Sequence, residues 1–225
     1  MKNEGLVAAV LLTRGWLARQ PDPFRHTVLS RGRTLELVRR VPVYAQDDPP
    51  GGIYGIIRGA ASVNIAPGPT GPHLGHIAAP GDWFGEAPFF TGGSRMMRLE
   101  TTEDSLLFHL PLDEMERMAS DDPQNIRRFA QIALINLEIA FQAVNDLLIP
   151  DPDARIAAVL ARIYGTGTGG PVRVSQTDLG AMTNTSRKTV NRALARFQTL
   201  GLLRTGYSAV EVLDAPGLRR LAYRQ

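Results

Sequence analysis

Apolar and polar positions along this chain change rhythm twice. Between about Leu35 and Leu110 the apolar residues fall in short stretches, TLELVRRVPVY, GGIYGIIRG, AASVNIA and SLLFHL, separated by clusters of Gly, Pro and Asp. Short β-rich runs at close intervals predict an antiparallel roll or sandwich. Two turn-rich segments, Asp47–Gly52 and Pro67–Pro72, are read as hairpin connections. From Ile126 the period lengthens: Ile126, Ala130, Ala133, Leu137, Ala140, Val144 and Leu147 recur in alternating steps of four and three. That is an a/d seam, and it predicts a helix over Ile126–Leu147 that pairs with a second copy of itself. A flanking stripe, Phe129, Ile132, Ile139 and Phe141, is read as resting on the β domain. The competing reading is one amphipathic helix packed in a monomer core.

The second change comes at IPDPDAR, residues 149–155, where two prolines break the helix. A short helix, Ala154–Tyr164, and the linker GTGTGG lead into VSQTDLGAMTNTSRKTVNRALARFQTLGLL. Ser175 can cap one helix, with Asp178 at its third position, and Ser186 can cap a second. TNT between them supplies a tight polar turn, so the arrangement predicts a helix-turn-helix. Val190, Leu194 and Phe197 form the inward stripe of the second helix, and Gly201 stands at its C-terminal end. The following LLRTGYSAVEVL alternates around a Gly-Tyr turn and predicts a β-hairpin wing.

Charge sharpens the picture. Residues 1–150 carry 14 Lys/Arg against 17 Asp/Glu, a balance of −3, whereas residues 151–225 carry 11 against 5, a balance of +6. The basic end is the expected polyanion contact. Ser175, Gln176, Ser186, Arg187, Lys188, Thr189, Asn191, Arg192 and Arg196 are the candidate contacts to double-stranded DNA. Arg and Lys can donate to guanine O6 and N7, and Asn can pair with adenine. A solvated basic face is the bland alternative.

The chain has no cysteine, which excludes disulfides, iron–sulfur clusters and thiolate zinc sites. The apolar run Leu6–Leu12 is interrupted by Arg14 and preceded by Glu4, so an N-terminal helix is expected rather than a secretory signal, and with it a cytoplasmic location. No stretch has the length of a bilayer-spanning helix. Four histidines, His26, His73, His76 and His109, are too scattered for a haem or metal site to be expected.

PGDWFGE at 80–86 and SRKTVNRAL at 186–194, in that order, resemble the pocket turn and the recognition helix of the Crp/Fnr family of transcription regulators. The resemblance covers roughly Trp16 to Tyr223. It implies an α+β chain: a cyclic-nucleotide-binding-like, jelly-roll-like antiparallel β-roll over residues 1–122, a dimerisation helix over 123–149, and a winged helix-turn-helix over 150–225. It implies a homodimer on an inverted-repeat operator, with RNA polymerase as a further partner. The implied effector pocket comprises Gly85, Glu86, Ala87, Arg95, Met96 and Arg98. In nucleotide-binding members the glutamate holds a ribose hydroxyl, and an Arg-Ser or Arg-Thr pair takes the cyclic phosphate. Met96 departs from that pattern, since a thioether donates no hydrogen bond. Arg98 is the candidate replacement donor. Three readings of the pocket stay open: a cyclic nucleotide, AMP or GMP; another small anionic effector; and a vestigial pocket whose Glu86–Arg95 ion pair is purely structural, to which the departure at Met96 gives the most weight. Members that read the half-site TGTGA carry glutamate at the position of Lys188. Two other functions compete: an architectural DNA-binding protein without a ligand, and a metal-dependent cupin-like enzyme built on HLGH, with His73 and His76.

Overall fold

The computed structural model describes residues 4–68, 71–166, 172–206 and 209–223. Three helices lead the chain: α1 (Glu4–Leu11), α2 (Gly15–Ala18) and α3 (Asp22–Arg31). Five strands follow, β1 (Arg33–Leu37), β2 (Pro42–Tyr44), β3 (Ile53–Arg58), β4 (Ala61–Gly68) and β5 (Gly71–Ala78). Then come β6 (Trp83–Phe84), the short helix α4 (Ala87–Thr91), β7 (Arg98–Thr101) and β8 (Ser105–Leu110). Helices α5 (Leu112–Asp121), α6 (Gln124–Leu147) and α7 (Pro152–Thr166) precede α8 (Gln176–Thr183) and α9 (Arg187–Thr199). The chain closes with β9 (Leu203–Gly206), β10 (Ala209–Val212) and α10 (Ala215–Tyr223).

The first eight strands form two sheets, in the orders β1-β8-β3-β6 and β2-β7-β4-β5. The expected antiparallel roll is present, but Asp47–Gly52 is not a hairpin turn. It joins β2 to β3, which lie in different sheets: Tyr44 pairs with Leu99 and Tyr54 with His109. Gly, Pro and Asp mark where a strand stops; they do not say which distant strand it pairs with. Of the Pro67–Pro72 connection, residues 69–70 lie outside the described residues, as do most of the GTGTGG linker and Tyr207 in the wing turn.

The chain divides into two compact units, one of Met1–Ala66 with Ala78–Glu138, the other of Pro67–Ile77 with Ile139–Gln225. The core of the first is aromatic. Trp16 lies 5.1 Å from Trp83 and 5.9 Å from Phe129, and its Nε1 donates to the Arg128 carbonyl at 2.7 Å. Ile53, Ile57, Leu106, Phe108, Met115, Met118 and Ile132 complete this cluster. Every residue of β8 is buried, the pattern of a strand covered on both faces. Burying each of its leucine and phenylalanine side chains contributes about 1.5–3 kcal/mol. In the second unit α7 packs on α8, α9 and α10, with Ile156, Leu160, Leu179, Val190, Leu194, Phe197 and Leu218 buried.

Helix α6 buries one side only. Phe129, Ile132 and Ile139 are buried, while Ile126, Leu134, Leu137, Phe141, Val144, Leu147 and Leu148 are exposed and apolar. Phe141, expected beside Phe129 and Ile132, is 65% exposed. Nine residues from Ile132 is about two and a half turns, which puts it on the opposite side, with the seam. Of the predicted seam residues, Ala130 and Ala133 are half-buried and Ala140 is exposed. None of the helices, among the described residues, is long and apolar enough to cross a membrane.

Candidate nucleic-acid interface and ligand pocket

Helix α8 starts where its chemistry dictates. Ser175 Oγ accepts from the Asp178 amide at 3.1 Å, and an Asp178 carboxylate oxygen accepts from the Ser175 amide at 3.1 Å, closing a capping box. The helix ends at Asn184 in the left-handed region, φ 47°, where asparagine is tolerated. Ser186 then caps α9 by accepting from the Thr189 amide at 3.1 Å. Val190, Ala193, Leu194 and Phe197 bury one side of α9. Gly201, at φ 71°, follows its C-terminus as expected.

The other side of α9 presents Ser186, Arg187, Lys188, Asn191 and Arg192 to solvent, with Thr189 half-buried. Among the described residues, no carboxylate lies in ion-pair range of Arg187, Lys188 or Arg192. Their charges are available to a phosphate or a base edge. Arg196, at the far end, instead pairs with Asp153 of α7 at 2.8 Å, which ties it to the fold. Ser175 and Gln176, at the start of α8, are half-buried. Strands β9 and β10 form the expected antiparallel wing, on which Arg204 sits 3.3 Å from Glu211.

The pocket differs more from expectation. Arg95 is only 2% exposed, and its two terminal nitrogens donate to backbone carbonyls, Nη1 to Gly85 at 2.7 Å and Nη2 to Gly52 at 2.9 Å. Its guanidinium lies 4.4 Å from the centre of the Tyr44 ring and 5.7 Å from that of Tyr54. Such stacking favours a desolvated cation. Burial pushes both phenols upward, so the rings face it neutral. Nε of Arg95 is buried without a partner. Gly85 holds φ at 100°, and a Cβ there would stand 2.7 Å from Arg95 Nη1. Glycine is thus required by both the backbone and the arginine.

Glu86 is also buried, but it does not reach Arg95. Its Oε1 accepts from Asn136 Nδ2 of α6 at 3.1 Å, and the same amide donates to the Trp83 carbonyl at 3.1 Å. Burial pushes the Glu86 carboxyl above its usual range, against the pull of backbone amides, Asn136 and the Arg95 charge. The expected Glu86–Arg95 ion pair is therefore absent among the described residues; each group is held by neutral dipoles. Met96 is 63% exposed, in contrast to the buried Arg95 beside it. Arg98 cannot replace the missing donor either: it points outward from β7 and pairs with Glu100. Ala87 opens α4 and is half-buried. Nearby, His109 stacks on Tyr54 at 4.4 Å and its Nε2 donates to the Gly51 carbonyl at 2.6 Å.

Sequence reasoning missed Tyr44, Tyr54, Gly52 and Asn136. Of these only Asn136 left a signal, a polar residue beside Leu137 in an otherwise apolar stretch of helix. No group of three or more metal-holding side chains occurs among the described residues, His73 and His76 included.

Residues 154–221 match the family model of the Crp-like helix-turn-helix domain, and residues 35–122 match that of the cyclic nucleotide-binding domain. A CRP-like cAMP-activated global transcriptional regulator of Mycobacterium tuberculosis is 26% identical over 220 residues, 94% of this chain and 98% of its own. The transcriptional regulator SdrP of Thermus thermophilus is 28% identical over 152 residues, 65% of this chain and 71% of its own. The structure of FixK2 from Bradyrhizobium japonicum shares the fold, with a TM-score of 0.73 at 22% identity, covering 84% of this chain and 96% of that one.

Proposed function

This chain belongs to the Crp/Fnr family of DNA-binding transcription regulators, and from that premise we propose that it acts as a homodimer joined along α6, reading an inverted-repeat operator with α9 of each copy. The observation that carries this reading is the exposed, carboxylate-free set Arg187, Lys188, Asn191 and Arg192 on a capped helix. The proposed parts remain a β-roll over 1–122, a dimer helix over 123–149 and a DNA-binding module over 150–225, with RNA polymerase as the partner that a transcription regulator needs. Lysine has donors and no acceptor, so Lys188 cannot receive a bond from cytosine N4. It should favour guanine O6/N7 or a phosphate, and the half-site should depart from TGTGA at the base pair it faces. Randomised-site selection checks this: Lys188→Glu should move preference toward cytosine by roughly 1–3 kcal/mol. Identical sequence logos from the two proteins would show that Lys188 reads no base.

For the pocket, the contacts favour DNA binding that does not wait on a cyclic nucleotide. An arriving cyclic phosphate would have to draw Arg95 from two carbonyls, with no help from Met96 or Arg98. The competing reading, a small anionic effector, is favoured by the partnerless Arg95 Nε and by the cyclic nucleotide-binding domain match. Thermal shift distinguishes the two, because a ligand that binds only the folded state raises its stability with concentration. Cyclic AMP, cyclic GMP and inorganic phosphate should leave the melting temperature unmoved. A rise that disappears in Arg95→Ala would establish the effector reading instead.

A further inference from the structure

Three buried polar side chains of the second unit take no part in either site: His76 of β5, Asp146 near the end of α6 and Arg162 of α7, which are 4%, 1% and 8% exposed. Arg162 Nε donates to Asp146 Oδ2 at 2.7 Å, and its Nη1 donates to His76 Nδ1 at 3.1 Å. A guanidinium stays protonated and only donates, so this contact requires His76 to accept, with Nδ1 bare. Tyr223 of α10 stands close by, its phenol pushed upward by burial and then by the Asp146 carboxylate. Burial likewise raises Asp146, against the bond and charge of Arg162. A cation buried this deeply is tolerated only while its partners stay in place.

Two and three residues earlier in β5, Leu74 and His73 line a cavity of about 630 Å³ together with Gln176, Thr177, Ser186 and Arg187. Gln176 and Thr177 open α8, and Ser186 and Arg187 open α9. Helix N-termini are where free amides receive phosphates. A cavity of this size suits a small molecule.

We propose that the Asp146–Arg162–His76 chain is a latch that holds β5 beside the phosphate-receiving ends of α8 and α9 and thereby restrains DNA binding until it opens. The inference rests on the DNA-binding reading above. When only an open fraction of the protein can bind, the apparent affinity falls by that fraction. Freeing β5 therefore tightens binding without adding a contact.

His76→Phe keeps a flat ring and removes the acceptor. In the full-length chain it should lower the dissociation constant for a random-sequence duplex by about tenfold, the scale of one charge-assisted hydrogen bond. Arg162→Lys, which cannot span both partners, should act in the same direction. Because the protein has no cysteine, His73→Cys accepts a single environment-sensitive fluorophore. In an otherwise unchanged chain its emission should shift when duplex is added, and in His76→Phe it should already sit at the shifted value without DNA. Wild-type or weaker DNA affinity in His76→Phe, or a label that stays at the unshifted value, overturns the latch. If the unchanged chain binds no duplex, the DNA-binding reading fails instead, and the DNA-free label signal still decides whether β5 is latched.

Discussion

At the scale of single residues, the pocket shows how a chain can complete its own site. Arg95 takes carbonyls from Gly52 and Gly85, and Glu86 takes an amide from Asn136. A carboxyl whose folded-state pKa is raised contributes most below its ordinary value, near 4.5, and loses that contribution as pH rises through the folded-state value. At neutral pH the buried Glu86 charge is thus a net cost. Glu86→Gln, which can still accept from Asn136, should be more stable than the parent at pH 7, with an advantage that shrinks below about pH 4.5. Urea midpoints at the two pH values measure it, and a less stable glutamine variant at pH 7 would show that the carboxylate is held by charge. None of these partnerships was legible in advance. Gly52 lies 43 residues from Arg95 and Asn136 lies 50 from Glu86, and motif spacing carries no information at that range. Of the residues the motif named, Glu86 and Arg95 are buried and Gly85 half-buried, whereas Met96 and Arg98 are exposed, as strand and turn geometry dictates.

Elements were easier to read than partnerships, because their causes are local. The Ser175–Asp178 capping box and the Ser186 cap involve residues three apart, and the helix-turn-helix built on them appears where the sequence places it. The exposed apolar positions of α6, Ile126, Leu137, Val144 and Leu147, were equally legible, since their period is a property of one helix; Phe141 was assigned to the wrong side, by nearness in sequence rather than by angle. The pairing of β2 with β7 across some 55 residues, by contrast, is set by the tertiary fold. The apolar side of α6 predicts its own test. Leu137→Arg would put like charges into a closed seam, and the cost of a buried unpaired charge, roughly 3–5 kcal/mol, exceeds what most single contacts return. Sedimentation should show monomers for this variant and dimers for the parent. An unchanged dimer would move the interface off this helix.

For the whole molecule, charge is divided as unevenly as labour. The +6 of residues 151–225 against the −3 of residues 1–150 orients approach to a polyanion and repels it from the roll. Binding should weaken linearly in log dissociation constant against log salt. Arg204 contributes from the wing, where Glu211 already holds part of its field. Arg204→Ala should weaken all sequences alike and reduce the salt slope by about 1 for each copy bound. A loss confined to one sequence would mean that the wing reads bases.

The half-covered α6 also has a consequence for dosage. Leu134, Leu137, Phe141, Val144 and Leu148 cannot remain in water at no cost, and if the proposed pairing along α6 covers them, that pairing is governed by abundance. While the chain is scarce enough to be mostly single, the number of pairs grows as the square of the number of chains. Doubling synthesis then quadruples the supply of operator-competent protein, and halving it cuts that supply to a quarter. On the dimer reading, a cell holding this regulator near that threshold would have a steep switch set by expression level alone, whether or not any small molecule enters the roll.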